Sequence, residues 1–140
     1  MNMRDLFKKL GAPLRNFRWS WGAVRRSDGV VFLRVWEDDR IWRKDREFVR
    51  LLANGKIRRN HPGNLGYRER LTHVKLVRHS HPCYMIMCVA VDPGAIPRKV
   101  AYFNNEELFP GGELIDFRGG SWLELLPCVP ISHLWKRSGH

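Results

Sequence analysis

Long apolar runs are missing from this 140-residue chain. No stretch approaches the roughly 18 residues that a membrane-spanning helix needs, so no membrane partner is expected. The N-terminal "MNMRDLFKKL" lacks the apolar core and small-residue cleavage site of a secretory signal, so secretion is not expected either. Cysteine is scarce and odd in number: Cys83, Cys88 and Cys128 have no framework spacing. Reduced thiols in a cytoplasmic protein are the expectation. G-x-S-x-G, H-E-x-x-H, phosphate-loop and dinucleotide signatures are all absent, so no catalytic residue and no cofactor are assigned. The "EDDR" run with Lys44 invites comparison with a nuclease remnant, but acid pairs at a hairpin exit are usually just solvated. His79, His81 and Cys83 form an H-x-H-x-C group without a fourth ligand at usual spacing, so no metal is expected.

Acids are scarce too. Fourteen Asp and Glu face 25 Lys and Arg, a formal net charge of +11. The imbalance is concentrated: residues 1–80 hold 20 cations against 8 acids, whereas residues 81–140 hold 5 against 6. The first part therefore carries +12 and the second −1. Such asymmetry predicts one electropositive face, the footprint of a polyanion binder. Arginine outnumbers lysine 18 to 7. Its planar fork suits phosphates and base edges, and it stacks on flat rings.

Hydrophobic content of 44% fits a single globular domain over residues 1–140, with 136–140 as a loose tail. Residues 4–10 read as a short helix ended by Gly11 and Pro13. Residues 19–25 and 30–36 read as antiparallel strands around Ser27-Asp28-Gly29. Residues 38–52 fit either a helix by charge spacing or a loop leading into a strand over 47–53, and the strand is favoured because Asn54-Gly55 follows at once. Pro62, Gly63 and Gly66 mark a loop. Tyr67, Leu71, Val74 and Val77 then recur at helical spacing. "CYMIMCVAV" predicts a strand buried on both faces, "KVAYF" a short strand, and "GELIDF" with "SWLELL" a hairpin turning at Arg118-Gly119-Gly120. About seven strands with one or two helices predict an α+β fold built on a small, mostly antiparallel β-barrel.

The wording "NFRWSWGAV", "VVFLRVW", "NLGYRERLTHV" and "CYMIMCVAVDP", in that element order, resembles the PUA superfamily, which includes the SRA, EVE, YTH and ASCH domains. The likeness is to the modified-base readers attached to bacterial modification-dependent nucleases. It implies a PUA/SRA-like barrel and a DNA reader that takes a flipped nucleotide into a pocket beside the barrel. This chain carries no nuclease domain, so cleavage would come from a separate effector protein.

Trp19 and Trp21, two apart on an expected strand, share a face. They either fill the core or stack on an extruded base. Trp36 supplies a further wall, and Ser20, Asp92 and Asn104 are the candidate polar groups for a base edge. For phosphates the candidates are Arg15 and Arg18, then Arg58, Arg59, Arg68 and Arg70 around the glycine-rich loop, and Lys75 on the helix. The expectation is a binding module for a methylated base in DNA. The alternatives are an RNA-binding protein of the same class and an enzyme whose site is invisible to motif reading.

Overall fold

The computed structural model describes residues 1–52, 64–95 and 98–135. Arg58, Arg59 and the 136–140 tail lie outside the described residues.

Helix α1 (Met3–Lys9) starts where the Asn2 side chain accepts the Asp5 N–H at 2.8 Å, with Asp5 in its first turn and Lys8 and Lys9 in its last. It buries Leu6 and Phe7 and stops at Gly11, whose φ is 75°. Strands β1 (Gly22–Val24) and β2 (Val31–Trp36) pair antiparallel around a turn closed by Gly29 at φ 74°. A short 3₁₀ turn (Glu37–Asp39) leads into β3 (Arg40–Arg43) and β4 (Arg46–Leu52), a second hairpin. Its turn residues Lys44 and Asp45 both adopt positive φ, 51° and 63°. Two left-handed residues suit the twist of a two-residue hairpin. Without glycine, that turn carries no local signal, so β3 stays hidden in the ambiguous 38–52 segment.

Helix α2 (Asn64–Arg78) precedes β5 (Cys83–Ala90). Strands β6 (Val100–Phe103), β7 (Glu107–Phe117), β8 (Gly120–Leu125) and β9 (Val129–Pro130) complete the sheet, and a 3₁₀ turn (Ile131–Leu134) follows. The β7–β8 turn at Arg118 and Gly119 has φ of 49° and 76°.

The strand order is β1-β2-β5-β7-β8-β4-β3, with β6 added on β5 and β9 on β7. Among the described residues every ladder is antiparallel except β2 with β5. No described ladder joins β1 to β3, so the nine-stranded sheet is curled and open, without the closure expected of a barrel. The curl is visible in β7. Its first part pairs with β5 through Phe109 and Pro110, its last with β8 from Leu114 onward, and the register shifts between Gly111 and Leu114. A Cβ on Gly111 would lie 2.6 Å from the Leu123 side chain, so the bend needs glycine there.

Alternation along the strands makes two apolar layers. Inside the curl lie Val31, Leu33 and Val35 of β2, Met85 and Met87 of β5, Val49 and Leu51 of β4, Leu123 and Leu125 of β8, and Val74 of α2. The opposite face of β2 and β5, with Phe32, Ile86 and Cys88, is covered by Leu6 and Phe7 of α1, by Leu10 at its C-cap and by Ile131. Strand β5 is thus buried on both sides, as its continuous apolar run predicts.

Candidate nucleic-acid interface

The inward stripe of α2 consists of Gly66, Arg70, His73 and Val74, and Arg68, Thr72 and Lys75 face outward. Gly66 sets how close the helix comes to the chain before β1. A Cβ there would lie 2.7 Å from the Trp19 carbonyl oxygen and 2.8 Å from Trp21 Cδ1. Only a residue without a side chain accepts that approach.

Trp19 is not on a strand, because β1 begins at Gly22. Residues 16–20 are wound into a turn. The Asn16 carbonyl accepts the N–H groups of Trp19 and Ser20 at 3.3 and 2.8 Å, and Ser20 Oγ accepts the Asn16 N–H at 3.0 Å. The two indoles therefore part company. Trp19 lines a groove, while Trp21 packs on Trp36 with centroids 5.4 Å apart and planes at 59°. The Arg34 guanidinium sits 4.5 Å over the Trp21 ring, and that of Arg98 5.6 Å over Trp36.

The groove runs between α2, the segment after α1 and strand β1, with a volume of about 1040 Å³. That is at the top of the roughly 300–1,000 Å³ typical of small-ligand sites. Leu14, Trp19 and Leu65 form apolar walls, and exposed Arg15, Arg26 and Arg68 stand around them. None of these three arginines makes an ion pair with a described residue, unlike Arg25, Arg40, Arg46, Arg50, Arg78 and Arg98. Lys75 continues the row of Arg68 and Thr72 along the exposed face of α2.

Glu69 and His73 complete the lining, one turn apart on α2. Ser20, fully buried, donates its hydroxyl to Glu69 Oε2 at 3.1 Å. Burial raises the Glu69 carboxyl above its usual range. The Ser20 hydroxyl, the Trp21 main-chain N–H and the charges of Arg15 and Arg70 pull it back. His73, 6% exposed, is pushed down to about 4 by burial and then by the charge of Arg70, so it is neutral at pH 7.

Arg70, expected to hold a phosphate, is 8% exposed and points inward. It donates to the main-chain carbonyls of Arg34 and Trp21, and burial lowers its guanidinium to about 10. Arg34, also lowered chiefly by burial, donates to the Ser20 carbonyl at 3.2 Å. The two arginines clasp the segment that presents Trp19 instead of facing solvent. Asp92 and Asn104 lie away from the groove as turn caps. Asp92 accepts the Gly94 N–H at 2.9 Å, and Asn104 accepts those of Glu106 and Glu107, each at 2.9 Å. Arg18 is exposed beside the Phe17 ring, outside the lining.

The structure thus joins Trp19, Arg15 and Arg68 of the expected residues, with Ser20 behind them, and leaves Trp21, Trp36, Asp92 and Asn104 elsewhere. Arg26, Glu69 and His73 were not anticipated as site residues. For Glu69 and His73 the one local signal was an acid and a histidine at i and i+4 on a helix whose neighbours are basic. The H-x-H-x-C group does not converge: His79 is exposed, His81 Nδ1 lies 2.8 Å from the Gly29 carbonyl, and burial pushes the Cys83 thiol up to about 12. Fold and groove together define an α+β domain with an open curled sheet and an arginine-rimmed, indole-walled groove. Set against known proteins, the chain matches no family model, no curated protein and no solved structure.

Proposed function

We propose that the chain is a non-enzymatic DNA-binding module of PUA/SRA-like architecture that reads a methylated base turned out of its stack. One observation carries the reading: an indole wall, Trp19, stands between three arginines that have no carboxylate partner among the described residues. Stacking a base on an aromatic ring contributes about 1–3 kcal/mol. That offsets much of the few kcal/mol needed to unstack a nucleotide. The uncancelled guanidiniums supply the sequence-independent hold on phosphates. A base methyl group against Leu14, Trp19 and Leu65 adds about 0.8 kcal/mol, so it tunes affinity a few-fold. The mostly antiparallel sheet curled over the inner of its two apolar layers supports the PUA/SRA-like description, and the three unbonded cysteines support a cytoplasmic setting.

Fluorescence anisotropy with duplexes that carry or lack a methylated base, alongside matched RNA, tests this reading. Affinity is expected to fall steeply with salt, and Trp19→Ala to weaken binding about ten- to a hundredfold at an unchanged unfolding transition. A flat salt response, or full affinity in Trp19→Ala, overturns it. Tighter binding to the matched RNA transfers the same groove to an RNA reader.

A further inference from the structure

Strand β1 ends the sheet. It pairs with β2, and no described strand lies along its other edge. The phase of the β1–β2 ladder fixes which main-chain groups it uses. Arg34 donates its N–H to the Trp21 carbonyl at 2.7 Å, and Arg25 donates its N–H to the Val30 carbonyl at 2.8 Å. Midway between these two pairs Ala23 lies opposite Phe32. Along an antiparallel ladder, hydrogen-bonded and non-hydrogen-bonded positions alternate. Gly22 and Val24 therefore turn their N–H and C=O groups away from β2, and no main-chain group among the described residues bonds to them. Both residues line the groove, Gly22 buried and Val24 half-buried. One wall of the groove is thus an open sheet edge, a template for a further strand. Buried main-chain polar groups call for partners.

The other walls restrict the strand that fits. Arg15, Arg26 and Arg68 stand at the rim without an ion pair among the described residues. The carboxylate in the lining, Glu69, is held by the Ser20 hydroxyl and the Trp21 main-chain N–H. A basic segment is repelled there, and so is β1 of a second copy, which brings Arg25 and Arg26 with it. We infer that the groove also takes an extended acidic segment of a partner protein, which adds to β1 as a strand and excludes nucleic acid. The segment exchanges main-chain hydrogen bonds with Gly22 and Val24. Its side chains alternate between two faces, so carboxylates meet the three guanidiniums while apolar side chains meet Leu14, Trp19 and Leu65. The strand site stands on the β1 edge itself; only the competition rests on the base-reading assignment of the groove.

The probe is a labelled, acetylated and amidated hexapeptide of alternating glutamate and leucine. Its binding is read by anisotropy, and its competition by displacement of a bound oligonucleotide. Two further versions carry N-methyl groups on one or the other alternate set of amides. The set that faces β1 is expected to weaken binding at least tenfold, since each lost main-chain hydrogen bond costs about three- to tenfold in affinity. The set that faces solvent is expected to leave binding unchanged. Replacing glutamate by lysine in the peptide is expected to abolish binding. Val24→Pro removes the outward N–H, a change that an edge strand accommodates, and is expected to weaken the peptide about three- to tenfold at an unchanged unfolding transition. The N-methyl series carries the test should that variant fail to fold. No binding of the hexapeptide, or equal binding of the two methylated versions, overturns the inference. Peptide binding that leaves the oligonucleotide in place overturns the competition. Peptide binding by a protein that holds no oligonucleotide overturns the base-reading assignment and leaves the strand site standing.

Discussion

The two flanks of the curled sheet treat arginine in opposite ways. On the β3–β4–β7–β8 flank most guanidiniums are paired with carboxylates, while Arg43 and Arg118 lie over the Phe117 ring. Arg40 binds Glu47 at 2.6 Å and Glu37 at 2.9 Å, Arg46 binds Glu124 at 2.8 Å, Arg50 binds Asp39 at 2.9 Å, and Arg78 reaches Asp116 at 3.1 Å. Around the groove, Arg15, Arg26 and Arg68 have no such partner among the described residues, and the nearby carboxylate, Glu69, is engaged by Ser20. Net charge therefore says less about a binding face than the placement of the acids does. Folding lays Glu113, Asp116 and Glu124 of the second part over Arg46 and Arg78 of the first, and among the described arginines left without an ion pair Arg15, Arg26 and Arg68 line the groove.

The largest effect expected of the groove flank concerns pH. His73 is held neutral by burial, with its value near 4 in the folded protein and about 6.5 when unfolded. The unfolded chain thus binds the proton more readily, and stability falls as pH drops from about 6.5 to about 4, by up to about 3 kcal/mol. Glu69, raised by burial, works in the opposite sense over the carboxylate range. Urea unfolding of wild type and His73→Gln across this window should show a pH-dependent difference between them. Parallel curves would break the account of a buried neutral imidazole.

Next in size is Gly66→Ala, which drives a methyl group against the Trp19 carbonyl and the Trp21 ring. A loss of about 1–3 kcal/mol is expected, read as a lower urea midpoint. An unchanged midpoint would mean that α2 stands off from the indole segment. The smallest effect sharpens the contrast between flanks. Arg46→Ala removes exposed ion pairs with Glu113 and Glu124, and both melting temperature and nucleic-acid affinity should stay within error. Arg68→Ala should instead weaken binding and reduce the slope of log affinity against log salt by about 0.9. Equal behaviour of the two variants would erase the distinction between cancelled and uncancelled cations.

Elements whose cause is local were legible. The all-apolar run of β5, the Gly29 and Gly119 turns and the apolar periodicity of α2 each carry their own signal within a few residues. The split between Trp19 and Trp21 was not legible, because the turn that separates them depends on the Ser20 hydroxyl and the Asn16 carbonyl overriding period-two alternation. The hidden hairpin of β3 depends on left-handed Lys44 and Asp45, of which only the aspartate is of a type enriched in that region. The inward turn of Arg70 came from main-chain carbonyls of Trp21 and Arg34, 49 and 36 residues away.

The sequence by itself determined the α+β character, the buried central strand, the excess of arginine and the presence of indoles close to it. Tertiary structure decided which indole meets solvent, which guanidiniums remain uncancelled and that the sheet stays open. Those choices rest on contacts as distant as Arg46 with Glu124, 78 positions apart. Alternation and propensity act over a few residues, whereas charge cancellation and burial are settled only when distant segments pack together.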